Sequence, residues 1–129
     1  MKRVMAFGTF DGVHEGHRAF LKEARGCGDH LIVVVARDHI VRELKGHFPK
    51  IDFRRRCKLL MQEEGVDGVV GSDVDLESWQ VLQECKPDVI AMGYDQTRLK
   101  ESLESHLEQL PWTPEVRVMG FHPPKDSSL

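Results

Sequence analysis

Apolar residues arrive along this chain in short continuous runs, and most runs are followed by a turn and then by a stretch with helical spacing. Val4-Met5-Ala6-Phe7 reads as a buried first strand. Leu31-Ile32-Val33-Val34-Val35-Ala36 is continuous and β-branched, which suits a central parallel strand covered on both faces. Val66–Val70, Val89–Met92 and Glu115–Met119 read as three further strands. Between them the period changes. Phe20, Leu21 and Ala24 form one face of a helix that begins near Gly16 or His17 and stops at Gly26. His39 to Leu44 has the length of a short helix, broken by Lys45-Gly46-His47-Phe48-Pro49. Asp52 is placed as an N-cap for a helix whose stripe is Phe53, Cys57, Leu60 and Met61, with Arg54, Arg55, Arg56 and Lys58 on other faces and Gly65 as its stop. Ser78 to Cys85 forms a short helix ended by Lys86-Pro87. Leu99, Leu103 and Leu107 define a longer amphipathic one. Phe121–Leu129 carries no periodicity.

This alternation of strands about 4–6 residues long with helices predicts an α/β fold. Right-handed crossovers make it a Rossmann-like, doubly wound, parallel five-stranded sheet in a single domain, residues 1–129, with 121–129 as a tail. Ligands of such sheets sit beyond the C-terminal strand ends, near the switch point. Gly8-Thr9, Arg37, Gly71-Ser72 and Gly93-Tyr94-Asp95 all fall there.

The first of those turns, Gly8-Thr9-Phe10-Asp11-Gly12-Val13-His14-Glu15-Gly16-His17, carries three glycines into a helix start. Unpaired N–H groups and the positive end of the helix dipole point the same way there, so the turn is an anion site. His14 and His17 add donors for phosphate oxygens. Two other uses of these residues stay open: a histidine pair that caps or packs, and a metal site made from Asp11, His14 and His17.

The block resembles the HxGH nucleotidyltransferases, the cytidylyltransferase-like family. The resemblance implies transfer of a nucleotidyl group from an NTP to a phosphate-bearing acceptor, with release of pyrophosphate. In that family the two motif histidines, here His14 and His17, stabilise charge on the NTP phosphates, and Thr9 and Phe10 stand where backbone N–H groups face the substrates. Asp11 has a polar role toward the acceptor or an Asx-turn role holding the loop. Lys45 matches a basic loop residue that reaches the acceptor phosphate and is placed with the catalytic set; the alternative is a solvated lysine. Arg55 and Arg56 match a helix-start pair at the acceptor, Arg55 standing where glutamine is usual, or they are solvated. Gly93 and Asp95 match the ribose and base contacts, and Asp95 also suits an N-cap. Ser127 and Ser128 resemble a C-terminal serine pair on the NTP phosphates, or are a coincidental tail.

Gly93-Tyr94-Asp95-Gln96 and Val35-Ala36-Arg37-Asp38 look most like archaeal-type FAD synthases, which implies ATP and FMN as substrates. Phe10, Phe48 and Phe53 are then candidates to border the flavin, against ordinary core packing. The alternatives are a cytidylyltransferase for glycerol 3-phosphate or a related small acceptor, and a nucleotide-binding module without catalysis. Magnesium is expected to travel with the ATP phosphates, with no protein metal site. Relatives are often dimers, so a homodimer is an expectation of the resemblance.

Composition narrows the partners. Among 129 residues, 18 basic and 21 acidic side chains leave a net charge of −3, whereas a general nucleic-acid binder carries a basic excess. No apolar run approaches the length of a membrane span, so neither nucleic acid nor membrane is expected. Cys27, Cys57 and Cys85 lack zinc spacing and read as buried free thiols of a cytoplasmic protein. Met1-Lys2-Arg3 runs straight into the first strand without the pattern of a signal peptide.

Overall fold

A computed structural model describes residues 1–74 and 78–120. The elements are β1 (Arg3–Gly8), α1 (Glu15–Arg25), β2 (His30–Val35), α2 (Asp38–Lys45), α3 (Phe53–Met61), β3 (Gly68–Gly71), α4 (Gln80–Cys85), β4 (Val89–Met92), α5 (Thr97–Leu107) and β5 (Glu115–Val118). All five strands are parallel, in the order β3-β2-β1-β4-β5. The order reverses between β1 and β4, which is the switch point of a doubly wound sheet. Among the described residues no helix is long and apolar enough to cross a membrane.

The continuous apolar runs are explained by cores on both faces. Side chains alternate across a strand, so Val4 and Ala6 of β1 join Leu31, Val33, Val89 and Ala91 against Phe20, Leu21 and Ala24 of α1 and Leu60 of α3. Met5 and Phe7 point the other way, with Val34, Ile90 and Met92, against Leu82 of α4 and Leu103 of α5. β5 is an edge strand and correspondingly half polar, with Val118 exposed. A small satellite cluster of Ala36, Ile40 and Val41 seats α2 beside the strand ends.

Two expectations about α3 need correction. Met61, placed on the apolar stripe, is 50% exposed. Arg56, placed on an outer face, is 0% exposed and occupies the stripe between Phe53 and Leu60. Asp52 does cap this helix, accepting the Arg55 N–H at 2.9 Å. The cysteines are half-buried free thiols, and burial pushes those of Cys57 and Cys85 up from their ordinary range, so neither is an activated nucleophile.

The strand starts share a device that the apolar pattern does not reveal. Asp29, Asp67 and Asp88 each immediately precede a strand. The Asp88 N–H donates to the Arg3 carbonyl, and its carboxylate accepts the Arg3 N–H, at 2.9 and 2.8 Å. Asp29 pairs with Lys2 in the same two ways, and Asp67 with Leu31. Each aspartate thus completes the ladder where its own strand has not begun, and fixes the parallel register. Replacing Asp88 with Ala is expected to lower unfolding stability by about 1 kcal/mol, the net worth of one such bond. Asp88→Asn, which keeps an acceptor oxygen, loses less. Urea unfolding of the three proteins checks this, and equal stability of all three would dismiss the clamp.

Candidate functional site

The glycine-rich turn leaves β1 at Gly8. A Cβ there would lie 2.4 Å from the Phe10 ring, so only glycine lets the ring fold back beneath the turn. Phe10 takes a left-handed backbone, φ 52°, and packs against His17 and Phe20 with ring centroids 5.1 and 6.5 Å away. Its side chain is core; what it can offer a ligand is backbone. The turn closes with the Gly12 N–H donating to the Phe10 carbonyl at 2.9 Å.

His14 is the N-cap of α1, and the cap is reciprocal. His14 Nδ1 accepts the N–H groups of Gly16 and His17 at 3.1 and 3.3 Å, while His17 Nδ1 accepts the His14 N–H at 3.3 Å. This is a capping box built from two imidazoles in place of the usual hydroxyl and carboxylate. The rings stack with centroids 3.7 Å apart and planes 19° from parallel. His17 is 3% exposed and His14 is half-buried. Because both Nδ1 atoms accept from backbone, the neutral rings carry their protons on Nε2. The capping alternative and the donor reading are therefore compatible, because the cap engages Nδ1 of each ring and not Nε2.

The remaining turn residues are held by the loop that follows α2. Both Asp11 oxygens accept backbone N–H groups, from Lys50 and Ile51, at 2.8 Å each. Its carboxylate thus holds the loop, as the Asx-turn alternative expects. Arg56, expected at the acceptor, is fully buried. Its guanidinium donates to the carbonyls of Thr9 at 2.7 Å and Ile51 at 2.9 Å, and to Asp38 Oδ1 at 2.7 Å. It supports the turn from beneath and meets no open space. Asp11, His14 and His17 do not converge as ligands, and among the described residues no three metal-ligating side chains do.

On the far side of the switch point, Gln96 spans the cleft floor. Its Oε1 accepts the Gly93 N–H at 2.7 Å and its Nε2 donates to the Phe7 carbonyl at 2.8 Å. The end of β4 is thereby tied to the end of β1, which brings the Gly93 turn and the Gly8 turn to one cleft. Asp95 is exposed on that cleft; α5 is capped from Gln96, without a side-chain bond, so the capping alternative for Asp95 does not hold.

A cavity of about 250 Å³ opens beside the Gly8-Thr9 turn. Its walls are mainly apolar, from Phe7, Val34, Ile40, Leu44, Trp79 and Leu99, and its charged side chains among the described residues are Lys45, Asp73, Asp95 and Arg98. Lys45, the last residue of α2, is exposed there. Arg55 is not: it lies with Arg54 and Lys58 on a separate shallow surface of α3. The aromatic wall also differs from expectation. Phe48 is exposed beneath the Arg42 guanidinium, and Phe53 packs under that of Arg37. Phe7 and Trp79, in edge contact at 5.5 Å, line the cavity instead. The sequence pattern singled out neither, because a wall built from strand ends and distant loops has no local signature. Ser127 and Ser128 lie outside the described residues.

A doubly wound parallel sheet with an anion-binding turn after β1 and a cleft at the β1/β4 switch point defines a nucleotide-binding α/β protein. The cytidylyltransferase-like family model matches residues 5–128, and the chain belongs to that family. An FAD synthase of Archaeoglobus profundus is 42% identical over 112 residues, covering 84% of this chain and 68% of the relative. One from Thermoplasma volcanium is 39% identical over 130 residues, covering 99% and 89%. Among solved structures, a lipopolysaccharide core biosynthesis protein from Thermoplasma volcanium superposes with a TM-score of 0.87 at 36% identity, over 95% of this chain and 99% of that one. A pantoate-beta-alanine ligase from Francisella tularensis shares the fold alone, with a TM-score of 0.67 at 11% identity, over 96% of this chain and 60% of that one.

The double use of His14 can be separated by substitution. His14→Asn keeps a cap acceptor and removes the imidazole N–H. It is expected to hold unfolding stability to within a few tenths of a kcal/mol of wild type while turnover falls about 10²–10³-fold. His14→Ala loses both, with about 1 kcal/mol of stability lost as well. Full turnover in His14→Asn would restrict the residue to capping.

Proposed function

We propose that this chain is an FMN adenylyltransferase, transferring AMP from ATP to FMN to give FAD and pyrophosphate. The observation that carries the reading is the stacked His14–His17 pair at the start of α1, whose Nδ1 atoms cap the helix directly after the glycine-rich turn. Relatives named FAD synthase, matching over most of the chain, supply the substrate pair.

In this reading the ATP phosphates lie across the Gly8–His17 turn at the N-terminus of α1. An FMN phosphate oxygen attacks the α-phosphorus and forms the new P–O bond. The bond from that phosphorus to the oxygen bridging to the β-phosphate breaks, and pyrophosphate leaves with the electron pair. No covalent enzyme group is needed; the chain aligns the two phosphates and stabilises charge that builds on the transferred one. His14 and His17 donate to α- and β-phosphate oxygens. The turn amides of Thr9 and Phe10, held in place by Arg56 beneath the Thr9 carbonyl, face the same oxygens. Asp95 and Gly93, across the switch point, take the ribose and base. Magnesium carried with the triphosphate would supply neutralisation of the charge that leaves with pyrophosphate.

Two phosphates must approach against their repulsion. Like unit charges about 4 Å apart repel by about 4 kcal/mol at an effective dielectric near 20. Lys45, at the mouth of the apolar cavity, offsets that term on the acceptor side. The cavity itself favours an acceptor with a large apolar ring over glycerol 3-phosphate, which has no use for such walls. Unpaired thiols at Cys27, Cys57 and Cys85 suit a reducing cytoplasmic setting.

The test mixes protein, magnesium, ATP and FMN and follows FAD by chromatography and pyrophosphate release in parallel, with CTP and glycerol 3-phosphate as the comparison. FAD with stoichiometric pyrophosphate is expected. CDP-glycerol without FAD would overturn the acceptor and the base together. No pyrophosphate from any pair would leave a binding module. Lys45→Ala is expected to raise the FMN KM about tenfold with little change in the ATP KM.

A further inference from the structure

We propose that Arg98 is a second acceptor-binding cation, which with Lys45 holds the acceptor phosphate at the mouth of the 250 Å³ cavity while the acceptor ring lies inside against Trp79. The inference rests on the adenylyltransferase reading and adds a residue to it.

Charge accounting at the cavity carries the argument. Four formally charged side chains line it among the described residues: Lys45, Asp73, Asp95 and Arg98. Asp73 is spent, its carboxylate accepting the Val81 N–H at 3.1 and 3.3 Å. Asp95 stands on the turn side assigned to the ribose. That leaves two cations, each exposed and neither in a hydrogen bond or ion pair among the described residues. The other arginines near the turn are spent: Arg56 on three oxygens, and Arg37 on the Ser72 carbonyl and the Phe53 ring. Two uncommitted cations from different elements, the last residue of α2 and the second of α5, thus share one apolar cavity. An apolar cavity with cations at its mouth selects a molecule with an apolar body and an anionic end.

The position of the cavity says which phosphate this is. His14 and His17 do not line it; the two sites share the Gly8-Thr9 turn and the edge marked by Asp95. A phosphate gripped from the cavity side and aimed across that turn faces the phosphates gripped by the histidines, which is the alignment that in-line attack requires. Arg98 therefore serves the acceptor. Its planar, permanently charged guanidinium grips phosphate oxygens in pairs, whereas Lys45 acts as a point charge.

Trp79 provides the readout. It is buried in the cavity wall, whereas Trp112 donates to the Pro87 carbonyl at the opposite, N-terminal end of β4. In a Trp112→Phe background all tryptophan emission comes from Trp79. FMN and riboflavin are titrated into this protein and into its Arg98→Gln and Arg98→Lys derivatives, with and without α,β-methylene ATP, and steady-state KM values are measured in parallel. The expected result has three parts. FMN quenches Trp79, and Arg98→Gln weakens FMN binding about 10-fold or more. Riboflavin, which lacks the phosphate, binds equally to all variants. Arg98→Gln raises the FMN KM and leaves that of ATP, and Arg98→Lys recovers part of the loss. Wild-type-like FMN affinity in Arg98→Gln, or equal increases in both KM values, would overturn the assignment while FAD formation leaves the adenylyltransferase reading standing. Absence of FMN binding and of FAD formation in the parent protein would overturn both.

Discussion

The Arg56 guanidinium is the interaction on which the geometry of the site depends. It is fully buried, and its three nitrogens reach three separate segments: the Thr9 carbonyl in the phosphate turn, the Ile51 carbonyl in the loop after α2, and the Asp38 carboxylate at the start of α2. Asp11 closes the same assembly from the turn side by accepting the N–H groups of Lys50 and Ile51. Lysine could not replace Arg56, because a single ammonium cannot span acceptors fixed in a planar fork. Burying a charge costs several kcal/mol before its partners repay any of it. Asp38 remains 41% exposed, so the ion pair is only half dry. What the arrangement secures is therefore position more than stability. Turn, loop and helix cannot shift independently, and the turn amides hold their directions before any substrate arrives. Fixed dipoles of that kind need no reorganisation when charge develops.

The same economy of fixed groups governs the histidines. Serine, threonine or aspartate would cap α1 at least as well as an imidazole. An imidazole alone has a second nitrogen, and capping with Nδ1 sets the proton on Nε2. One set of hydrogen bonds thus starts the helix and chooses the tautomer. Stacking at 3.7 Å then holds the two rings as a unit, with Phe10 packed against His17. Gln96 does the corresponding work across the cleft, where one amide uses its donor on β1 and its acceptor on the Gly93 turn.

The five strands and their order of appearance were legible because both faces of the sheet are covered, which makes the runs continuously apolar. The glycine-rich turn after β1 was legible because glycine spacing before a helix has a backbone cause. Arg56 was misplaced for an instructive reason. Phe53, Arg56 and Leu60 stand at helical spacing on one stripe, so periodicity alone would have buried the arginine. Residue type overrode it, since an arginine is rarely buried without partners, and the partners come from segments 5, 18 and 47 residues away. Phe10 misled in the opposite sense. An aromatic in a ligand turn suggests a wall, but its left-handed backbone turns the ring into the core. The three aspartates before β2, β3 and β4 and the cavity cation Arg98 escaped because their meaning depends on which strands and helices become neighbours.

The division of the cleft follows from this topology. Reversal of strand order at β1/β4 opens a crevice whose floor is the Gly8-Thr9 turn. On one side α1 presents a helix start and two imidazole donors, built from consecutive residues and therefore compact in sequence. On the other side α2, α4 and α5 leave an apolar cavity assembled from residues between Phe7 and Leu99. In the adenylyltransferase reading the first half meets a group common to every nucleoside triphosphate. The second can change its walls without disturbing the turn, since Arg56 and Asp11 hold the turn from beneath. On the proposed reading chemistry rests on a local motif and acceptor choice on tertiary packing; the fold itself is shared at 11% identity with a pantoate-beta-alanine ligase.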